Sequence, residues 1–68
     1  MVKFEVNHQY STEYYSVPYK CIKRTKIFVY FYDEKLDIII KRKPKVWYFR
    51  TNCVHEYVKI SGFIVWAH

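Results

Sequence analysis

The 68-residue chain predicts an all-β fold, a small barrel or strongly bent antiparallel sheet of five to seven short strands and SH3-like size. Three observations predict it. Ile27–Ile40 holds two strand-like runs, Ile27–Tyr32 and Leu36–Ile40, separated by Asp33-Glu34-Lys35. No segment of ten or more residues combines 3.6-residue apolar spacing with good helix formers. Aromatic residues make up 22% of the chain, with eight Tyr, five Phe and two Trp, and such rings favour strands.

Length limits the chain to one domain spanning residues 1–68. A domain of this size buries only roughly 60% of the surface its unfolded chain exposes, which leaves little room for a deep catalytic cleft. Large rings supply buried area that a short chain otherwise lacks, and some of the tyrosines must stay at the surface.

In chain order, Val2-Lys3-Phe4-Glu5-Val6 alternates with period two and predicts a half-buried strand with Val2, Phe4 and Val6 inward. Asn7–Thr12 is polar and reads as a turn or loop. Glu13–Tyr19 reads as an edge strand, or as a strand that ends at Pro18 and turns, because Pro18 donates no ladder hydrogen bond and holds Val17 extended. Lys20–Lys26 is a basic stretch with Cys21 or Ile22 inward and its charges toward water.

The hairpin follows. Ile27, Val29 and Phe31 lie on one face, and Phe28, Tyr30 and Tyr32 on the other. Both faces are apolar or aromatic, which places this strand centrally, with the tyrosine face half exposed. Leu36, Ile38 and Ile40 share one face of the return strand. The Asp33-Glu34-Lys35 loop lacks the glycine that tight hairpin turns prefer.

Lys41-Arg42-Lys43-Pro44-Lys45 sets four cations around a proline that stops the strand. Val46–Arg50 is a short strand with either Trp47 and Phe49 or Val46 and Tyr48 outward. Thr51-Asn52 is a turn. Cys53–Ile60 reads as a less regular strand, with one short helix over Asn52–Ile60 as the alternative. Ser61-Gly62 is a turn, and Phe63–Trp66 is a last strand that must pair within a sheet.

Chemistry is sparse. Acid–base catalysis needs carboxylates or a histidine held in a pocket, and no pair of the six carboxylates is brought together by spacing. Cys53 and His55 share a strand face, but adjacency alone activates neither. There is no CxxC or HxxxH spacing for a metal and no Gly-rich loop for a phosphate. No catalytic residue, metal or cofactor is expected. Two cysteines are too few for a disulfide scaffold. The first twenty residues are polar and aromatic, unlike a signal peptide, and no apolar run reaches the ~20 residues of a membrane span. A cytoplasmic protein with reduced thiols is expected.

Charge is the clearest functional signal. The net charge of +6 is gathered into Lys20–Lys26, with four cations, and Lys41–Arg50, with five; the rest of the chain sums to −3. Such clusters point to a polyanion, most often nucleic acid. Lysines meet phosphates, and exposed rings stack on bases. The expected contact set is Lys20, Lys23, Arg24 and Lys26 on one loop, and Lys41, Arg42, Lys43, Lys45 and Arg50 on another, with Trp47 as the stacking ring. Both loops must reach the same polyphosphate chain. The plainer alternatives are a solvated basic surface and a Trp47 or Tyr48 that belongs to the core.

Tyr14-Tyr15-Ser16-Val17-Pro18-Tyr19 resembles a segment of bacterial insertion-sequence transposases that work with an AAA-type helper ATPase. In that family the motif opens a small β-barrel after the catalytic core, similar to the barrel of phage Mu transposase. A basic stretch and two strands follow it, positions taken here by Lys20–Lys26, Ile27–Tyr32 and Leu36–Ile39. Val2–Val6 resembles the strand before the motif, so the likeness covers residues 2–40. The glycines the family carries in its basic stretch and hairpin turn are missing here. The resemblance implies a non-catalytic domain of a DNA-recombining enzyme, with DNA and other transposase subunits as partners. The metal-binding acidic residues of such enzymes lie upstream of the barrel, so none carries over. A protein–protein interaction module using an exposed aromatic face or edge strand is the alternative.

Overall fold

The structure is a computed structural model that describes residues 1–12, 18–50 and 52–68. Among these, the alternating pattern gives seven strands and no helix. β1 (Gln9–Tyr10), β2 (Tyr19–Arg24), β3 (Val29–Asp33) and β4 (Ile38–Arg42) form one antiparallel sheet in that order. β5 (Lys45–Arg50), β6 (Cys53–Ile60) and β7 (Phe63–Trp66) form a second. The expected all-β architecture of short antiparallel strands is the one adopted.

The predicted hairpin is β3–β4. β3 lies between β2 and β4, with Val29, Phe31 and Asp33 buried and Tyr30 and Tyr32 half-buried on its other face. The loop is one residue later and longer than expected, running from Glu34 to Asp37, because Asp33 pairs with Ile38. The Asp33 carboxylate accepts the Lys35 and Leu36 N–H groups at 3.0 and 3.2 Å, so its own side chain shapes a turn that lacks glycine. Of the apolar face expected for the return strand, only Ile40 is buried; Ile38 stays exposed, and Leu36 lies exposed in the loop.

The N-terminal strand expected over Val2–Val6 shrinks to a single parallel bridge between Val2 and His55. Asn7, at φ 74°, turns the chain and leaves Val6 exposed. The segment still ties the sheets together. Val2 bonds β6 through Val54 and Glu56 at 2.8 and 2.9 Å, and Asn7 and His8 bond Cys21 of β2 at 2.7 and 2.9 Å. Tyr10, expected in a polar loop, belongs to the core at 1% exposure, and its hydroxyl accepts the Glu5 N–H. The basic stretch Lys20–Lys26 is mostly strand β2, not a loop. Cys21 is buried in it, and Ile22 is turned out at a bulge between Cys21 and Lys23.

The edge strand expected over Glu13–Tyr19 lies outside the described residues apart from Pro18 and Tyr19, and Tyr19 opens β2. So do four of the six motif residues, Tyr14 to Val17. Cys53–Ile60 is strand throughout, which overturns the short-helix alternative there. Its even residues Glu56, Val58 and Ile60 face the core. The turn between β6 and β7 is Ser61-Gly62, both at positive φ (52° and 83°), as the tightest hairpin turns require.

The core lies between the sheets. Phe4, Tyr10, Tyr19 and Phe31 pack edge-to-face, with centroid distances from 4.8 to 6.5 Å, against Cys21, Val29, Ile40, Val58, Ile60, Val65 and Ala67. Cys21 and Cys53 are both free thiols.

Candidate nucleic-acid interface

Strand register decides which cations share a face. In the first sheet Cys21, Phe31 and Ile40 stand opposite one another and form a buried row. The rows to either side of it in register, Lys20–Tyr32–Ile39 and Lys23–Tyr30–Lys41, therefore project from the outer face. The two basic segments, far apart in sequence, meet there on opposite sides of β3.

The central ring is Tyr30. The Lys23 Nζ lies 5.3 Å from its centroid and the Lys41 Nζ 5.9 Å. Lys41 also sits over Phe28 at 4.0 Å. Ring quadrupoles attract these ammonium groups and the rings support the lysine stems, while the charges stay in water. Among the described residues, no carboxylate pairs with Lys20, Lys23 or Lys41. Beside this row the Tyr32 hydroxyl donates to Asp37 at 2.6 Å, and that bond raises the Tyr32 pKa.

The arginines follow a different course. Arg24, Val29 and Arg42 form a third row, and both arginines reach across to β6. Arg24 makes two bonds to the Glu56 carboxylate, at 2.7 and 2.6 Å, and a third to the Phe4 carbonyl at 3.2 Å. Glu56 also accepts the Phe4 N–H at 2.9 Å. Burial by itself would raise the Glu56 carboxyl, but the guanidinium and the amide outweigh it and hold the group below the ordinary carboxylate range. The same bond raises Arg24. Arg42 donates through Nε to the Lys59 carbonyl at 3.0 Å and through Nη1 to the Lys41 carbonyl at 2.9 Å. Arg24, expected among the water-facing contact residues, is thus spent on joining the sheets, and Arg42 is partly so.

The remaining expected residues are dispersed. Lys26 lies in the turn before β3, and Lys43 in the link between β4 and β5. Lys45, Trp47 and Arg50 belong to β5, all exposed. Both of the alternatives for β5 hold at once, since Trp47 is 54% and Tyr48 69% exposed on opposite faces of an outer strand. Trp47 stands opposite His55, on a second aromatic face with Phe49, Tyr57 and Trp66, where Phe49–Trp66 and Tyr57–Trp66 are each 5.0 Å apart. It is not beside the lysine row.

Comparison with known protein families, curated proteins and solved structures gives no match. The surface must therefore be read from its own chemistry. Phe28, Tyr30 and Tyr32 are the rings that sequence reasoning left out of the contact set. Their signal was present: a period-two aromatic face on a strand flanked by two basic ones. Among the described residues, no three His, Cys, Asp or Glu side chains converge on a metal position, and no helix is long and apolar enough to cross a membrane.

Proposed function

We propose that this chain is a non-catalytic nucleic-acid-binding β-domain that grips a DNA backbone on the outer face of its four-stranded sheet. The observation that carries the reading is the Lys23–Tyr30–Lys41 row, with Lys20 beside it and no acidic partner among the described residues. Lysines on paired strands hold a fixed spacing, so they neutralise neighbouring phosphates without first ordering a loop. Release of the condensed counterions drives such binding. The resemblance to the post-catalytic barrel of insertion-sequence transposases gives the setting: a cytoplasmic domain that supports a transposase–DNA assembly. The test is a salt titration of duplex DNA binding. Three phosphate contacts give a slope of log affinity against log salt of roughly −2.7. A flat plot removes the proposal.

One observation favours a second reading. All six residues of β5 are exposed, it is an outer strand, and the sheet behind it carries the Trp47, Phe49, Tyr57 and Trp66 face. Strand addition by a protein partner uses such an edge. Concentration-dependent association that ignores salt supports this reading over the first.

A further inference from the structure

Strand β6 carries a nucleophile and a base, and the residue that follows β7 supplies a group that orients the base. The Cys53 Sγ lies 3.4 Å from the His55 Nε2, and the His55 Nδ1 lies 2.8 Å from the Ala67 carbonyl oxygen. A carbonyl only accepts, so Nδ1 carries the ring proton. In the neutral imidazole Nε2 then offers its lone pair, and it faces the thiol. The Ala67 carbonyl is itself held, because Ala67 is buried and its N–H bonds the Glu56 carbonyl at 3.0 Å. His55 is fixed on its strand between Trp47 and Val2, with the Phe49 ring edge-on at 5.3 Å. An open cleft of about 330 Å³, lined by Phe49, Trp66 and His68, leads to the pair.

We propose that Cys53 is an activated thiol that undergoes exchange with small disulfides admitted to this aromatic-lined cleft. The Cys53 S–H proton passes to the His55 Nε2. The thiolate attacks one sulfur of the incoming disulfide, a new Cys53 S–S bond forms, the old S–S bond breaks and the other half leaves as a thiolate. Cys53 is oxidised, the departing half is reduced, and His55 later returns its proton to water. A nucleophile, a base within hydrogen-bond reach and a third group that orients the base form the general arrangement for activating a weak nucleophile. Two donors fall short of the three or four protein ligands of a zinc site, which separates this pair from a metal centre. Cys21 is an internal control: it is fully buried in the core, and burial raises its pKa.

The probe is 5,5′-dithiobis(2-nitrobenzoic acid) on the intact folded chain, with peptide mapping to assign the modified cysteine. Cys53 is expected to react while Cys21 stays protected, and to react faster in the folded protein than in the urea-unfolded chain. Exposure alone gives a half-buried thiol no advantage over an unfolded one, so equal or slower reaction in the folded state overturns the proposal. In His55→Gln the rate at neutral pH is expected to fall by on the order of 10-fold, because an unassisted thiol is already a few per cent thiolate there. Protection of Cys21 in that variant reports that it is folded. An unchanged rate in a variant with Cys21 protected also overturns the proposal. If Cys21 loses its protection there, the folded-against-unfolded comparison of the parent chain decides.

Discussion

Arg24 on β2 and Glu56 on β6, 32 residues apart, close a two-pronged ion pair between the two sheets. Glu56 is the buried partner, while Arg24 keeps about a quarter of its side chain in water. The pair also holds the N-terminal segment, since Phe4 donates to Glu56 and accepts from Arg24. A single cluster thus fixes three pieces of backbone that share no continuous ladder.

Removal of the cation alone is the most damaging change to this cluster. Arg24→Met strands the Glu56 carboxylate in the interior, and breaking such a pair costs about 3 kcal/mol. Glu56→Gln keeps an oxygen for the Phe4 N–H, and the charge it leaves unpaired is that of Arg24, which is partly in water, so it is expected to cost less. Urea denaturation of both variants checks the order. If Arg24→Met is as stable as the parent, the pair does not join the sheets.

The same pair sets the response to acid. The Glu56 carboxyl titrates below its ordinary value of 4.5 in the folded chain, so the folded state binds its proton less readily than the unfolded state. Its stabilisation is therefore fully present above about pH 4.5 and is lost as pH falls through the lower folded value. Thermal melts between neutral pH and about pH 3 are expected to fall more steeply for the parent than for Glu56→Gln. Parallel curves count against the assignment.

What was legible in the sequence follows from what sets each feature. The β3–β4 and β5–β7 strands are local hairpins whose strand-like runs show without knowledge of their partners, whereas the cations of Lys20–Lys26 made β2 read as a loop. The N-terminal segment was misread because its conformation is decided by β6 and β2, which lie far away in sequence. The arginines were misread for a related reason. Arg24 and Lys23 are adjacent cations, and nothing local says which one will meet a carboxylate 32 residues on. A clue existed in Glu56, which shares its inward face with Val58 and Ile60; a carboxylate on a core face needs a buried partner.

The Ser61-Gly62 turn isolates backbone strain from packing. A Cβ at Gly62 would meet nothing within 4 Å, so a larger residue has room. The φ of +83° is nonetheless one that L-residues adopt reluctantly. Gly62→Ala is expected to destabilise the chain by about 1 kcal/mol, with no change in nucleic-acid binding. An unchanged denaturation midpoint would show that the β6–β7 turn relaxes freely.

The division of labour between lysines and arginines separates binding from stability. Lys23 and Lys41 point outward beside Tyr30, so Lys23→Gln with Lys41→Gln removes two phosphate contacts and little packing. The loss of the Lys41 contact with Phe28 costs about 0.5–1 kcal/mol at an exposed site. The salt slope for duplex DNA is expected to become shallower by about 2, one for each contact. Lys59→Gln serves as the control, because Lys59 stands opposite Ile64 on the second sheet, away from the row, and keeps its backbone bond to Arg42. It removes one positive charge where the double variant removes two, so the slopes are compared per charge. Equal loss of slope per charge in both variants would mean that the whole basic surface attracts DNA diffusely. A loss confined to the Lys23 and Lys41 variant places the contact on the outer face of the four-stranded sheet.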